Sequence, residues 1–296
     1  LTSRRRSDGS FATFSERYRQ RLEDRLAAAV PTDPSALSDA MRAALLSPGK
    51  RIRALVAIAA GVLFRGRVDP LLDLGVAVES VHAASLVFDD LPSMDDGTLR
   101  RGQPALHLRF GESTAILAAV ALINRAFEVL GASADLPERT RARLSAELAR
   151  ASGEAGSCRG QFADLASDPG GATLDELERI HALKTGELFV AAARGGAIAA
   201  RASEEEIAAM TRYAKNLGLA FQIVDDLLEA PDAAPRTGKK AHGEGHRANF
   251  SKILGADTAR AIAGELTEAA AESVAPLGPR AHPLADLAYL LRDRRS

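Results

Sequence analysis

LFVAAARGGAIAA, residues 188–200, and AILAAVAL, residues 115–122, are apolar on nearly every side when wound as helices. Helices of that kind in a water-soluble chain are surrounded by other helices, so these two stretches predict a large all-α bundle. Working outward, the same period recurs along the sequence. Helices are expected from Phe14 to Ala29, from Ser35 to Leu46, and over residues 51–63, 70–90, 113–131, 137–159, 174–200, 204–228, 257–274 and 283–292. Asp33-Pro34-Ser35 is a start signal and Ser47-Pro48-Gly49 a stop signal. Strand signals are nearly absent. No Gly/Ser/Pro-rich linker interrupts residues 11–296, which read as a single domain, whereas residues 1–10 read as a disordered arm outside it. One long irregular stretch, Ala230 to Asn249, is rich in Gly, Pro, Lys and His and reads as a functional lid.

Charge and cysteine content narrow the possible functions. The 296 residues carry 38 Lys plus Arg against 39 Asp plus Glu, a formal net charge of -1, so there is no cationic excess for nucleic acid. No apolar run reaches the roughly 18 residues that a membrane span needs, and a soluble protein is expected. Cys158 is the single cysteine, which rules out an intrachain disulfide or a multi-thiolate metal site and suits a reducing cytoplasm.

Two acidic clusters stand out against this background: FDDLPSMDD at residues 88–96 and FQIVDDLLE at residues 221–229. Several carboxylates within one or two helical turns repel one another unless a hard cation lies between them. Magnesium accepts one or two carboxylates together with phosphate oxygens, so two such clusters near basic residues describe a cage for a metal-bound diphosphate. Asp225 and Glu229, at i and i+4, project from one helix face with Asp226 on the flank. Asp89 and Asp95 are six apart and would diverge on an ideal helix, but Pro92 disturbs the turn and a local bulge could realign them. Either cluster alone reads equally well as a solvated helix face. Basic residues sharpen the choice. Lys50, Arg51 and Arg53 open a helix, where free amides and the dipole favour an anion, and Arg100 and Arg101 follow the first cluster. Lys184-Thr185 lies in a largely apolar helix, where a lysine needs an anion or loses its charge.

These pieces occur in a fixed order: GKRIR at 49–53, HAASLVFDDLPSMDD at 82–96, LRRGQP at 99–104, GQFADL at 160–165, KTG at 184–186, FQIVDD at 221–226 and GK at 238–239. The chain thereby resembles the trans-polyprenyl diphosphate synthases, and most closely the bacterial geranylgeranyl diphosphate synthases of carotenoid and photosynthetic pigment pathways. The resemblance covers roughly residues 49–255. It implies an all-α isoprenoid synthase fold, a homodimer, and magnesium-dependent condensation of isopentenyl diphosphate with an allylic diphosphate, farnesyl diphosphate being the expected starter. It also implies three Mg2+ ions, two on Asp89 and Asp95 and a third on Asp225. Lys50, Arg53, His82 and Arg101 are implied as the isopentenyl diphosphate clamp. Arg100, Lys184 and Lys239 are implied as allylic diphosphate contacts, with Thr185 and Gln222 placing oxygen dipoles near the developing carbocation. His82 would by default be a hydrogen-bonded core residue, and only the motif lifts it; His107 and His181 carry no assignment.

Residues one turn before Asp89 point toward the space that a growing prenyl tail would enter, and these are Ala84 and Ser85. Their small side chains resemble the geranylgeranyl type rather than the farnesyl type, in which a bulky aromatic closes the floor. Val81 and Val78 lie deeper. Three positions depart from the family pattern while keeping charge: Glu229 and Glu244 replace aspartates, and Arg247 replaces a lysine. The alternatives are farnesyl diphosphate as product, a class I terpene cyclase, and a non-catalytic partner subunit. Lys50, Arg53 and His82 argue against the cyclase, and intact Asp89, Asp95, Lys184 and Asp225 argue against the subunit.

Overall fold

The computed structural model describes residues 10–167, 171–228 and 249–294. Helix α1 spans Phe11–Ala29, and the Ser10 hydroxyl accepts from the Thr13 amide at 3.2 Å to cap it. Ser10 thus belongs to the folded body rather than to the arm. Helix α2, Ala36–Leu45, is capped by Ser35 in the same way. Helices α3 (Ile52–Leu63) and α4 (Val68–Asp89) follow, then a small hairpin of β1 (Leu99–Arg100) and β2 (Gln103–Pro104). Helices α5 (Leu106–Phe110), α6 (Glu112–Ala132), α7 (Glu138–Ser152), α8 (Ser157–Ala166), α9 (Leu174–His181), α10 (Glu187–Ala199) and α11 (Glu204–Leu228) continue the chain. After residue 248 come α12 (Phe250–Leu254), α13 (Ala256–Val274) and α14 (His282–Arg292).

The expected all-α architecture is therefore the observed one. Its centre is formed by α3, α4 and α10, which have few residues that reach solvent. Gly196 makes the closest approach possible: a Cβ there would meet the Ala57 carbonyl oxygen at 2.1 Å, so any side chain would push α10 off α3. One large apolar cluster runs from Phe11 to Leu291. A smaller one, built on Leu177, Ile223, Val224, Phe250, Ala259 and Ala263, joins the ends of α9 and α11 to the chain that re-enters at α12.

The structure corrects the sequence reading in four places. Residues 137–159 form two helices, because Gly153 and Gly156 break the run; a Cβ on Gly156 would meet the Ala151 carbonyl oxygen at 2.1 Å. Residues 174–200 are divided by a π-helical turn at Ala182–Gly186. Helix α6 is not enclosed on all sides: Ile116, Leu117 and Val120 are 40%, 58% and 44% exposed, whereas Ala115, Ala118, Ala119 and Leu122 face the core. Finally, α4 and α6 are both long and apolar enough to cross a membrane by length and composition, contrary to the expectation that no segment would be. Helix α4 is mostly buried inside the bundle, as a core helix is.

Candidate active site

Helix α4 ends where its first acidic cluster begins. Asp89 is its last residue, and the chain then turns back on itself so that the Asp95 amide donates to the Asp89 carbonyl at 2.9 Å and the Asp96 amide to that of Leu91 at 3.1 Å. A tight turn after the helix, rather than a bulge within it, thus returns Asp95 to Asp89. Burial pushes the Asp89 carboxyl up to about 6, with Asp95 and Asp90 adding repulsion while the charges of Lys184 and Arg100 oppose it.

Asp90 turns the other way and is buried. It accepts from Arg100 Nε at 3.1 Å on each oxygen, so Arg100 is held by its own cluster. Arg101 and Gly102, at φ 54° and 77°, form the tight turn of the hairpin that carries Arg100. Both left-handed values suit a primed hairpin turn, and they leave Arg101 projecting toward the loop before α3, where its guanidinium donates to the Ser47 carbonyl at 3.3 Å.

That loop presents the second set of cations. Arg51 adopts φ 53° and is locked by buried Glu79 at 3.4 Å and by Glu23 at 3.1 Å, which fixes the start of α3. Lys50 remains exposed beside it. Arg53, one turn on, donates to His82 Nε2 at 3.3 Å and lies 4.6 Å from the Phe189 ring centroid. Burial lowers the Arg53 guanidinium to about 10. Burial also holds the His82 imidazole well below its ordinary value, and Arg53, Arg101, Arg100 and Arg51 push it further. A neutral His82 can accept from Arg53, so histidine and arginine form one unit beside Arg101 and Arg100. Through Glu23 and Glu79, Arg51 braces the loop that carries Lys50 and leads to Arg53.

The π turn supplies the third set. It carries one residue more than an α turn and is a frequent mark of functional sites. Lys184 in this turn bonds Asp164 of α8 at 2.6 Å. Gly160, also on α8, lies so close that a Cβ would meet the Lys184 backbone nitrogen at 2.2 Å, so the GQFADL motif supports the turn as well as pairing its lysine. Thr185 is buried and its hydroxyl donates to Gln222 Oε1 at 3.0 Å; Gln222 Nε2 donates to Asp226 Oδ1 at 3.0 Å. Asp225 is bound by Arg294 at 2.7 Å, and that guanidinium also lies 4.0 Å from the Phe221 ring centroid and donates to the Phe221 carbonyl at 2.8 Å. The chain end after α14 thus reaches the second acidic cluster.

Of the residues singled out in the sequence, Asp89 lies within reach of the charges of Asp95, Lys184 and Arg100, Arg53 within reach of those of Asp225 and Arg101 beside its bond to His82, and Thr185, next to Lys184, bonds Gln222, while Lys50 sits exposed three residues before Arg53. Ser85 is half-buried one turn before Asp89 on the same face, whereas Ala84 has no exposed surface and packs in the main apolar cluster. Glu229, Lys239, Glu244 and Arg247 lie outside the described residues, as does nearly all of the stretch read as a lid. Asp90 and Asp164 sit inside the quoted motifs without being singled out, Asp226 reads from sequence only as flanking Asp225, and Arg294 belongs to the C-terminal run Arg292-Asp293-Arg294-Arg295, which from sequence reads either as a segment folded over the isopentenyl site, as the resemblance implies, or as a frayed tail. His181 is buried with its ring 5.4 Å from that of Phe250, and burial lowers it to about 4.

The donor set fits a hard divalent cation in part. Asp89, Asp95 and Asp225 offer only carboxylate oxygen, and burial together with the neighbouring carboxylates raises the Asp89 pKa despite the charges of Lys184 and Arg100. Among the described residues no three His, Cys, Asp or Glu side chains gather into a set that could hold a metal by themselves. Magnesium bound by one or two carboxylates, with phosphate oxygens and water completing the shell, requires no such set.

Comparison with known proteins gives the same family. The family model for polyprenyl synthetase matches residues 34–259. Geranylgeranyl diphosphate synthase of Pseudescherichia vulneris is 42% identical over 249 residues, 83% of this chain and 80% of that protein. Farnesyl diphosphate synthase of Escherichia coli is 39% identical over 259 residues, 86% of either chain. Among solved structures, a geranyltransferase from Helicobacter pylori complexed with magnesium and isoprenyl diphosphate superposes with a TM-score of 0.83 at 27% identity, covering 99% of this chain and 97% of that one. The matched length and the identity to relatives of nearly equal extent leave one assignment: the chain belongs to the polyprenyl synthetase family, as a short-chain prenyl diphosphate synthase.

Proposed function

We propose that this protein condenses isopentenyl diphosphate head-to-tail with an allylic diphosphate, farnesyl diphosphate being the expected starter, to give geranylgeranyl diphosphate. The observation that carries this reading is the convergence of Asp89, Asp95 and Lys184 with a separate cation array of Arg53, His82 and Arg101, because a condensation needs two diphosphate sites. Magnesium, three ions by family resemblance, would be held by Asp89 and Asp95 on one side and Asp225 on the other, and would supply positive charge to the departing diphosphate. Lys184, and Lys239 by resemblance, would bind the same diphosphate. Thr185 and Gln222 would turn oxygen dipoles toward the allylic carbon as positive charge develops there. The allylic carbon–oxygen bond breaks with its electron pair on diphosphate, the double bond of isopentenyl diphosphate attacks the cation, and a proton from the adjacent carbon leaves to a diphosphate oxygen. Lys50, Arg53, His82 and Arg101 would hold the second substrate in line for that attack.

Small side chains before Asp89 support the longer product. Ser85 is the nearer candidate for a wall of the tail channel, since Ala84 is enclosed by its neighbours. Farnesyl diphosphate is the alternative, supported by the 39% identity to a farnesyl diphosphate synthase, close to the 42% identity to a geranylgeranyl diphosphate synthase. A homodimer is supported by the apolar stripe of Ile116, Leu117 and Val120 on α6, a face that a second copy would cover. The carotenoid pathway and a cytoplasmic location belong to this same reading. The test is incubation of the purified protein with labelled isopentenyl diphosphate, magnesium and each allylic diphosphate, then sizing of the dephosphorylated alcohols. Geranylgeraniol as main product bears the proposal out; farnesol selects the alternative, and absence of any condensation product refutes both.

A further inference from the structure

In each acidic cluster the first aspartate is half-buried and the second is buried. Asp226 is buried and acts on two groups at once: Oδ1 accepts from Gln222 Nε2 at 3.0 Å, and Oδ2 accepts from the Phe250 amide at 2.9 Å. An ionised carboxylate accepts and never donates, so Gln222 must turn its NH2 toward Asp226 and its carbonyl oxygen the other way. That oxygen accepts the Thr185 hydroxyl at 3.0 Å. The backbone bond to Phe250 in turn fixes Asp226, because Phe250 is buried in the smaller apolar cluster beside His181. We infer that Asp226 is a positioning residue that sets the sense of the Gln222 amide, keeping its oxygen rather than its NH2 directed at Thr185 and the reacting allylic carbon.

The inference rests on the proposed reaction for its catalytic consequence but not for the geometry. A reversed amide would present N–H dipoles to a carbon gaining positive charge, which disfavours the very state the site must stabilise. Asp226→Asn provides that reversal with almost no change of shape. To keep the Phe250 bond, Asn must place its oxygen there and point its NH2 at Gln222, which then has to offer its oxygen to Asn and its NH2 to Thr185. Gln222→Glu added to this variant restores an oxygen on both sides.

The experiment compares wild type, D226N and the D226N/Q222E double variant in single-turnover condensation and in equilibrium binding of the allylic diphosphate. Expected is a loss of rate on the order of 100-fold in D226N, a change of less than about 3-fold in the dissociation constant, and recovery of most of the rate in the double variant. A wild-type rate in D226N, a parallel loss of diphosphate binding, or no recovery in the double variant would each overturn the inference. The wild-type protein gives an independent reading by NMR: a Gln222 side-chain amide proton bonded to Asp226 should exchange with solvent at least about 10-fold more slowly than those of exposed glutamines. Absence of that protection refutes the positioning role whatever reaction the protein catalyses, whereas absence of wild-type turnover with protection intact refutes only the proposed reaction.

Discussion

Replacing Asp89 with asparagine should make the metal-free protein more stable while ending its diphosphate chemistry. Burial raises the Asp89 pKa from 3.8 to about 6 in the folded chain. In the unfolded chain the carboxyl ionises near its ordinary value, so the folded state binds the proton more tightly. The penalty for holding Asp89 ionised is therefore absent below about pH 4, grows between about 4 and 6, and is constant above about 6. At about 1.4 kcal/mol per pH unit the shift corresponds to an upper bound of about 3 kcal/mol, and the residual contact of Asp89 with water reduces this to about 1–2 kcal/mol. Asparagine removes the penalty. For a chain of this size the melting temperature should rise by about 2–3 °C at pH 8, with little change at pH 4. Calorimetry in chelator across that range measures it, and far-ultraviolet circular dichroism confirms an unchanged helix content. A destabilised variant at pH 8, or a shift that does not depend on pH, would refute the account of Asp89 as a carboxylate whose ionised form burial disfavours; retained turnover would refute its role in binding the cation.

Ser85→Phe should shorten the main product, read by chromatography of the dephosphorylated alcohols, and an unchanged product profile would remove this face of α4 from the length determinant. Gly160→Ala should cost about 2–3 kcal/mol in urea unfolding and lower turnover, because its Cβ would displace the Lys184 backbone; a neutral substitution would mean that α8 does not support the turn. Leu117→Glu should convert a dimer to a monomer in light scattering, since it puts a charge in the middle of the exposed α6 stripe, and an unaltered mass would place the interface elsewhere.

The helical framework was legible because most helices carry their own signals. Ser35 caps α2 and α11 begins as expected, at Glu204. Periodicity could not locate the π turn, since apolar residues continue on both sides of Lys184-Thr185 and the extra residue changes only the hydrogen-bond pattern. Gly153 and Gly156 were the signals for the break between α7 and α8, but the flanking helical period outweighed them. In the site, residue types carried the chemistry while partners did not show. Nothing in FDDLPSMDD distinguishes a half-buried Asp89 from a buried Asp90 that grips Arg100, because that depends on how the chain turns after the helix. Arg294 is nearly seventy residues from Asp225 in sequence and meets it only through the packing of α14, which no local pattern encodes. Burial of Ala84 likewise depends on neighbouring helices.

The π turn also fixes what the rod from α9 to α10 can tolerate in length. An α-helix advances about 100° per residue, so removing one residue from Ala182–Gly186 would let the two helices join as a single regular helix with every backbone bond made. Such a deletion would leave the flanking helices in nearly their present orientation, because the wider turn takes up the extra residue within one revolution, but it would remove the wide turn on which Lys184 and Thr185 sit. The surplus residue thus serves the site rather than the packing: α9 would still present its apolar face to α12 and α10 its own to α3, while the lysine–threonine pair between them would lose its turn.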